Sequence, residues 1–310
     1  MRIAVIGAGG IGGYFGGRLA NAGYDVGFLA RGAHLEAMRR QGLTVRSVAG
    51  DFVVPQVHAS DDPGDLGVAD VVLLAVKTWQ LDVVVDSLGP IVGPDTAILT
   101  TQNGVDTPDR VAERFGRAAV LPGSAKIFAN LDEPGQVRHV GGPGLLTYGE
   151  WDNQVTPRVD GLRRALDDAG VRTAVPVDIW TELWSKFLFV VPFGGLGAAT
   201  DATIGVLRSR PGTRQLLVTL MREIRDVARA RGIHLPDDIL ESTLAFVDQQ
   251  PASGRSSLQR DILAGRPSEL EAWTGAVVRL GAATGTGTPA HDMLYELLSA
   301  RVAQSGLAAG

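Results

Sequence analysis

Residues 7–12, Gly-Ala-Gly-Gly-Ile-Gly, follow directly on the apolar run at 2–6 and open a stretch of helical character. Few folds accept three glycines at that spacing between a buried strand and a helix. In a βαβ unit the first makes the tight turn, the second lets a ligand approach the backbone, and the third lets the helix pack on the strand. The helix N-terminus supplies unpaired N–H groups and the positive end of its dipole, which suit phosphate. A generic glycine turn of another α/β fold is the competing reading, but a position at residue 7, between strand and helix, favours a dinucleotide. Gly7, Ala8, Gly9, Gly10, Ile11 and Gly12 are then its expected contacts. The second strand, at 25–30, ends in Arg31-Gly32. An acidic residue near that point would hold a free ribose 2′-hydroxyl, whereas arginine suits a 2′-phosphate, so the expected cofactor is NADPH/NADP+.

The length of 310 residues suits two domains. A formal charge of −5 argues against a nucleic-acid binder, which usually shows a basic face. There is no cysteine, and the five histidines show no ligand spacing, so no metal is expected. The chain enters its first strand at residue 2 without a signal-like n-region, and the longest uncharged apolar stretch, 187–200, is too short for a bilayer and contains Pro192. A cytoplasmic protein with a small-molecule substrate, and no nucleic-acid or membrane partner, is expected.

Along the chain, a first helix runs to about Ala22. Residues 43–47 and 52–58 alternate around a Gly50-Asp51 turn and predict a hairpin. The continuous apolar run at 70–76 reads as a central parallel strand buried on both faces, followed at 77–80 by Lys-Thr-Trp-Gln and a helix to about Val92. A strand at 96–101 ends in Gln102-Asn103-Gly104; two strands, 120–130 and 136–149, flank a turn at 132–135; and a helix at 157–169 follows. Beyond about Val177 the pattern is helical. Leu217, Leu220, Ile224 and Val227 recur at helical spacing, helices are expected from Pro236 and Pro289, and Ser268-Glu269-Leu270-Glu271 has capping-box spacing. The expected fold is α/β: an N-terminal Rossmann-type dinucleotide-binding domain, 1–176, and a C-terminal all-α domain, 177–310, for substrate and dimerisation. A homodimer face and internal packing account equally for the apolar helical faces. Arg31, Lys77 and Asn103 all follow the carboxyl ends of strands, where open α/β sheets bind ligands, in a cleft against the helical domain.

Reduction of a carbonyl by a nicotinamide needs an acid for the oxygen and fixed donors for the substrate. Lys186, in Trp184-Ser185-Lys186-Phe187, is the only charge between Glu182 and Asp201. Desolvation would lower its pKa and make it a usable acid; a snorkelling lysine is the equal alternative. The glycine turn, Arg31, Val76-Lys77-Thr78-Trp79-Gln80, Gln102-Asn103-Gly104, Trp184-Ser185-Lys186-Phe187, Ser256-Ser257-Leu258-Gln259-Arg260-Asp261 and Ser268-Glu269-Leu270-Glu271 occur in an order, and over a length, that resembles the ketopantoate reductase (2-dehydropantoate 2-reductase) family of pantothenate biosynthesis.

The resemblance implies roles. Arg31 and Lys77 would bind the 2′-phosphate, and Asn103 would sit at the nicotinamide ribose and touch substrate. Lys186 would be the general acid, Glu269 would position Lys186 or a substrate hydroxyl, and Ser257 would bind the substrate carboxylate. Ser256 and Ser257 serve equally as helix N-caps, and Glu269 as a first-turn acid. Family members that reduce ketopantoate carry asparagines where this chain has Val190, Gly194 and Ile204. An apolar site gives little preference for a hydroxyl. Two enzyme readings follow: ketopantoate reduction with Asn103, Ser257 and Lys186, or the same chemistry on a less polar ketone, 2-keto acid or imine, with Val190, Gly194 and Ile204 lining the site. A non-catalytic NADP(H) sensor would need the glycine turn and Arg31 and have no use for Lys186.

Overall fold

Strand β1, Arg2–Ile6, buries side chains on both of its faces, and the glycine turn delivers the chain into α1, Gly10–Asn21. β2, Asp25–Leu29, and α2, Gly32–Gln41, complete the first repeat. β3, Leu43–Ser47, pairs antiparallel with β4, Phe52–Val54, as the expected hairpin. The second arm is shorter than the alternation implies. Pro55 lacks the N–H that a continuing ladder needs. The chain then contributes β5, His58–Ser60, to a different sheet, parallel to β2. β6, Ala69–Leu74, is the central strand its apolar run predicts. The helix after it, α3, Leu81–Ser87, stops short of Val92, where Gly89-Pro90 breaks it and β7, Val92–Thr100, begins.

After α4, Thr107–Phe115, come β8, Val120–Leu121, β9, Gly123–Glu133, and β10, Gln136–Tyr148. α5, Pro157–Asp168, and β11, Arg172–Ala174, follow. The parallel sheet has the order β5-β2-β1-β6-β7-β8. Counted by appearance in that sheet, this is the 3-2-1-4-5-6 order of a Rossmann fold, reversing direction between β1 and β6. A second sheet runs β11-β10-β3-β4, with β9 antiparallel to β10. Alternation in β1 divides the core: Ile3 and Val5 join Phe15, Phe28, Val137 and Tyr148, while Ala4 and Ile6 join Val72, Leu81, Val85 and Val111.

The remaining elements are helical: α6, Ile179–Thr200; α7, Ile204–Ser209; α8, Pro211–Ala230; α9, Ile239–Gln249; α10, Ser257–Leu263; α11, Ala276–Thr284; and α12, Pro289–Gln304. α9 starts three residues beyond Pro236. The computed structural model describes residues 1–304. Its contacts divide into two compact units, Met1–Gln102 with Thr107–Ile179, and Asn103–Asp106 with residues 180–304.

Two expectations about the helices change. The apolar stretch at 187–200 is part of the 22-residue α6, long and apolar enough by length and composition to cross a membrane, but 67% of its most apolar window is buried inside the protein. The capping box at 268–271 does not form. A π turn, Glu271–Gly275, leads into α11 with no side-chain cap. The Glu271 carboxylate instead accepts from the Tyr295 hydroxyl at 2.5 Å and from Arg279 Nη1 at 3.1 Å.

Candidate active site

In the first unit the glycine turn sits after the central strand β1. Gly7 has φ +96°, a left-handed conformation that favours glycine, and a Cβ there would lie 2.9 Å from Val76 Cγ1. A Cβ on Gly12 would fall 2.1 Å from the Gly7 carbonyl oxygen and 2.9 Å from Val5 Cγ1, so this glycine brings α1 onto β1. Above Gly9 there is open space, with no atom within 4 Å of a Cβ position. The first turn of α1 carries no acidic residue to repel an anion. Gly10 is different: its Cβ would meet the Ala129 carbonyl oxygen at 2.3 Å, so it admits β9 against the helix. Ala8 is buried and Ile11 is half-buried.

Arg31 follows the carboxyl end of β2, exposed, as the backbone N-cap of α2. Lys77 follows β6, exposed, its Nζ 5.6 Å from the centroid of the Trp79 ring. β2 and β6 flank β1, so Arg31, the glycine turn and Lys77 occupy one carboxyl edge on three consecutive strands. The donor set fits a phosphorylated dinucleotide: an open glycine at a helix N-terminus, with two cations beside it.

His34 braces this turn. Its Nε2 lies 2.8 Å from the Ala8 carbonyl oxygen, and its Nδ1 accepts the Gly135 N–H at 2.9 Å. Burial pushes the imidazole below its ordinary range, against the opposing effect of the Ala8 bond. Nothing in local spacing singles out His34, because Gly135 lies in the β9–β10 turn. The buried Gln102 plays a similar part at the end of β7. Its Nε2 donates to the carbonyls of Leu74, at 3.0 Å, and Val76, at 2.9 Å, tying the ends of β6 and β7 where the chain departs for Asn103.

The second unit holds the other candidates. Lys186, Val190 and Gly194 recur every four residues on α6 and share one face. Lys186 and Val190 are half-buried. A Cβ on Gly194 would lie 2.7 Å from Trp273 Cζ3 and 3.4 Å from Leu258 Cδ2, so the indole of the π turn occupies the room of a side chain there. Ser256 caps α10 by accepting the Gln259 N–H at 3.0 Å, while Ser257, next to Leu258, is half-buried and outside the cap. Glu269 is 5% exposed and its carbonyl accepts the Trp273 N–H at 3.0 Å. A Cβ on Gly104 would lie 3.3 Å from the Ala272 carbonyl oxygen. The π turn thus lies close to Gly194 on the α6 face through Trp273, with Leu258 of α10 against the same glycine, and close to Gly104, the residue after the half-buried Asn103, through Ala272. Ile204 stands apart from this group: it is 1% exposed at the start of α7, with its N–H on the Gly254 carbonyl at 3.0 Å, in the helical core.

A 3-2-1-4-5-6 parallel sheet with an open glycine turn at its switch point, joined to an all-helical unit, defines a Rossmann-type dinucleotide-fold protein. Comparison with known proteins narrows the class. The family model described as ketopantoate reductase PanE/ApbA matches residues 3–153, and its C-terminal counterpart matches 178–302. A 2-dehydropantoate 2-reductase of Nostoc sp. is 30% identical over 303 residues, covering 96% of this chain and 94% of that protein. The structure of a ketopantoate reductase of this family from Ralstonia eutropha superposes with TM-score 0.90 at 30% identity, covering 99% of this chain and all of the other. A 2-dehydropantoate 2-reductase from Geobacter metallireducens gives TM-score 0.87 at 33% identity over 96% of this chain and 99% of its own. The chain belongs to the ketopantoate reductase family.

Proposed function

We propose that the protein is an NADPH-dependent reductase of the 2-keto acid ketopantoate. The observation that supports this reading is that sequence neighbours of the scattered candidates meet around one π turn: Gly104, after Asn103, near Ala272; Gly194, two turns along the helix face of Lys186, near Trp273 and near Leu258, the residue after Ser257; and Glu269, two residues before the turn. Bound NADPH supplies the hydride. The N-terminus of α1, with the open Gly9, would hold the pyrophosphate, and Arg31 and Lys77 would hold the 2′-phosphate. Ser257 donates a hydrogen bond to the substrate carboxylate, and Asn103 orients the cofactor ribose and the substrate. As negative charge develops on the carbonyl oxygen, the Lys186 ammonium donates its proton there and is reprotonated from solvent. Glu269 orients Lys186 or the substrate hydroxyl. Val190 belongs to the substrate-facing set. Gly194 and Ile204 act from behind it, through packing against Trp273 and in the helical core, which removes most of the motive for a less polar substrate.

The test is turnover of ketopantoate followed by NADPH absorbance, with NADH as control. Lys186→Ala should lower kcat about a hundredfold or more while NADPH affinity is kept, as loss of a positioned acid does. Arg31→Ala and Lys77→Ala should each weaken NADPH about tenfold, the scale of a charged hydrogen bond, and leave NADH unchanged. Equal rates with NADH would overturn the assignment of the two cations. A Lys186→Ala variant with full turnover would overturn the proposed chemistry.

A further inference from the structure

Asn103–Asp106 belongs with the second unit although the chain on both sides of it belongs to the first. An ion-pair network accounts for the excursion. Arg279, on α11, places Nη2 3.1 Å from Asp106 Oδ2 and 2.9 Å from the Glu271 carbonyl oxygen, and Nη1 3.1 Å from Glu271 Oε2. The other Glu271 oxygen accepts from Tyr295. Gly275 sits inside the network: a Cβ there would lie 2.9 Å from Glu271 Oε2 and 3.1 Å from Arg279 Nη1. The two acids are well covered, with side-chain exposures of 13% and 30%.

One guanidinium thus joins the segment three residues after Asn103 to the turn two residues after Glu269. We propose that Arg279 is a positioning residue of the reductase: by clamping Asp106 to Glu271 it sets the placement of Asn103 relative to Glu269. The inference rests on the roles proposed above for those two residues. Arg279 is not assigned to touch substrate or cofactor. Its planar fork, with donors diverging toward two carboxylates and a carbonyl, is what the geometry uses, and a lysine ammonium cannot reproduce it. Short π turns recur at functional sites, and here the turn's first residue supplies two of the three acceptors. Because the guanidinium is 49% exposed, the clamp contributes little to global stability and acts through geometry.

The experiment measures kcat and KM for ketopantoate and NADPH, and amide exchange of a peptide spanning 103–106, in the wild type and in Arg279→Ala, Arg279→Lys, Asp106→Asn, Asp106→Asn/Arg279→Ala and Gly275→Ala. Displacing a catalytic group by about an ångström costs up to a hundredfold. Arg279→Ala should therefore lower kcat ten- to a hundredfold, leave KM for NADPH within about twofold, and speed exchange at 103–106. Arg279→Lys should recover only part of the loss. The double variant should be no worse than Arg279→Ala alone, because one interaction is removed once. Gly275→Ala keeps every charge and should reproduce the loss by wedging the network open. Wild-type kcat and exchange in Arg279→Ala would overturn the clamp, as would effects of Asp106→Asn and Arg279→Ala that multiply. A wild type inactive on ketopantoate would overturn the reductase reading instead, and the exchange comparison would still uphold or overturn the clamp.

Discussion

His34 is held in one tautomer, since Nδ1 accepts from Gly135 and Nε2 must then carry the proton given to Ala8. Burial lowers its pKa from the ordinary 6.5. Burial also lowers that of His291, whose Nδ1 lies 2.7 Å from Glu223 Oε2, with the Glu223 carboxylate opposing the shift. Between the folded pKa and 6.5 the unfolded chain binds more protons than the folded one. The stability from these neutral rings is full above pH 6.5, shrinks as pH falls below it, and is lost once pH passes the folded values. Melting temperature should accordingly drop between pH 7 and pH 5. His34→Gln, a neutral side chain, should flatten its part of that drop, and melting curves of wild type and variant that stay parallel across this range would contradict the assignment. In NADPH titrations the same variant should flatten the pH dependence of affinity, because the imidazole supports the carbonyl of the glycine turn. Residues of this kind are silent in the sequence. Arg31 and Lys186 stand out by local context, but the partner of His34 lies in a distant hairpin, and Arg279 has no meaning until Asp106 and Glu271 are beside it.

At the scale of elements, α1 is the most constrained helix. Gly13 and Gly16 as well as Gly10 and Gly12 admit neighbours where a Cβ would fall within 3 Å, with Val137 and Phe28 among them. Gly10→Ala adds helix propensity but drives a methyl group into the Ala129 carbonyl. It should destabilise by about 1–3 kcal/mol, as overpacking does. Gly161→Ala, in α5, meets only Met1 Cε at 3.5 Å and should stabilise by about 0.4–1 kcal/mol. Urea unfolding checks both, and the opposite signs are the point of the pair. The strands and helices with strong local periodicity were legible: β1, β6 and α8 lie where their patterns place them. The rest depended on partners. β5 left its hairpin for another sheet because Pro55 ended one ladder, and the capping box at 268–271 failed because Tyr295 and Arg279 claimed the Glu271 carboxylate. The glycine-turn jobs could be read from spacing, whereas the role of Gly10 could not, since β9 arrives from far along the chain.

At the scale of the molecule, each unit carries its own task in the proposed reaction. Bound NADPH should slow amide exchange chiefly in the first unit, around the glycine turn and Arg31. Uniform protection through α8 and α9 would contradict this division. α6 shows why composition alone misleads at this scale, since a helix apolar enough for a bilayer directs most of its surface into the protein. The four-residue excursion at Asn103–Asp106 bears on protein engineering. A chimera made by splicing at the boundary after Ile179 would take its helical half from one parent and residues 103–106 from the other, separating Arg279 from the Asp106 it pairs with. Recombinants that transplant this tetrapeptide together with the helical half keep the pair intact, so a useful crossover library in this family needs three joints rather than one.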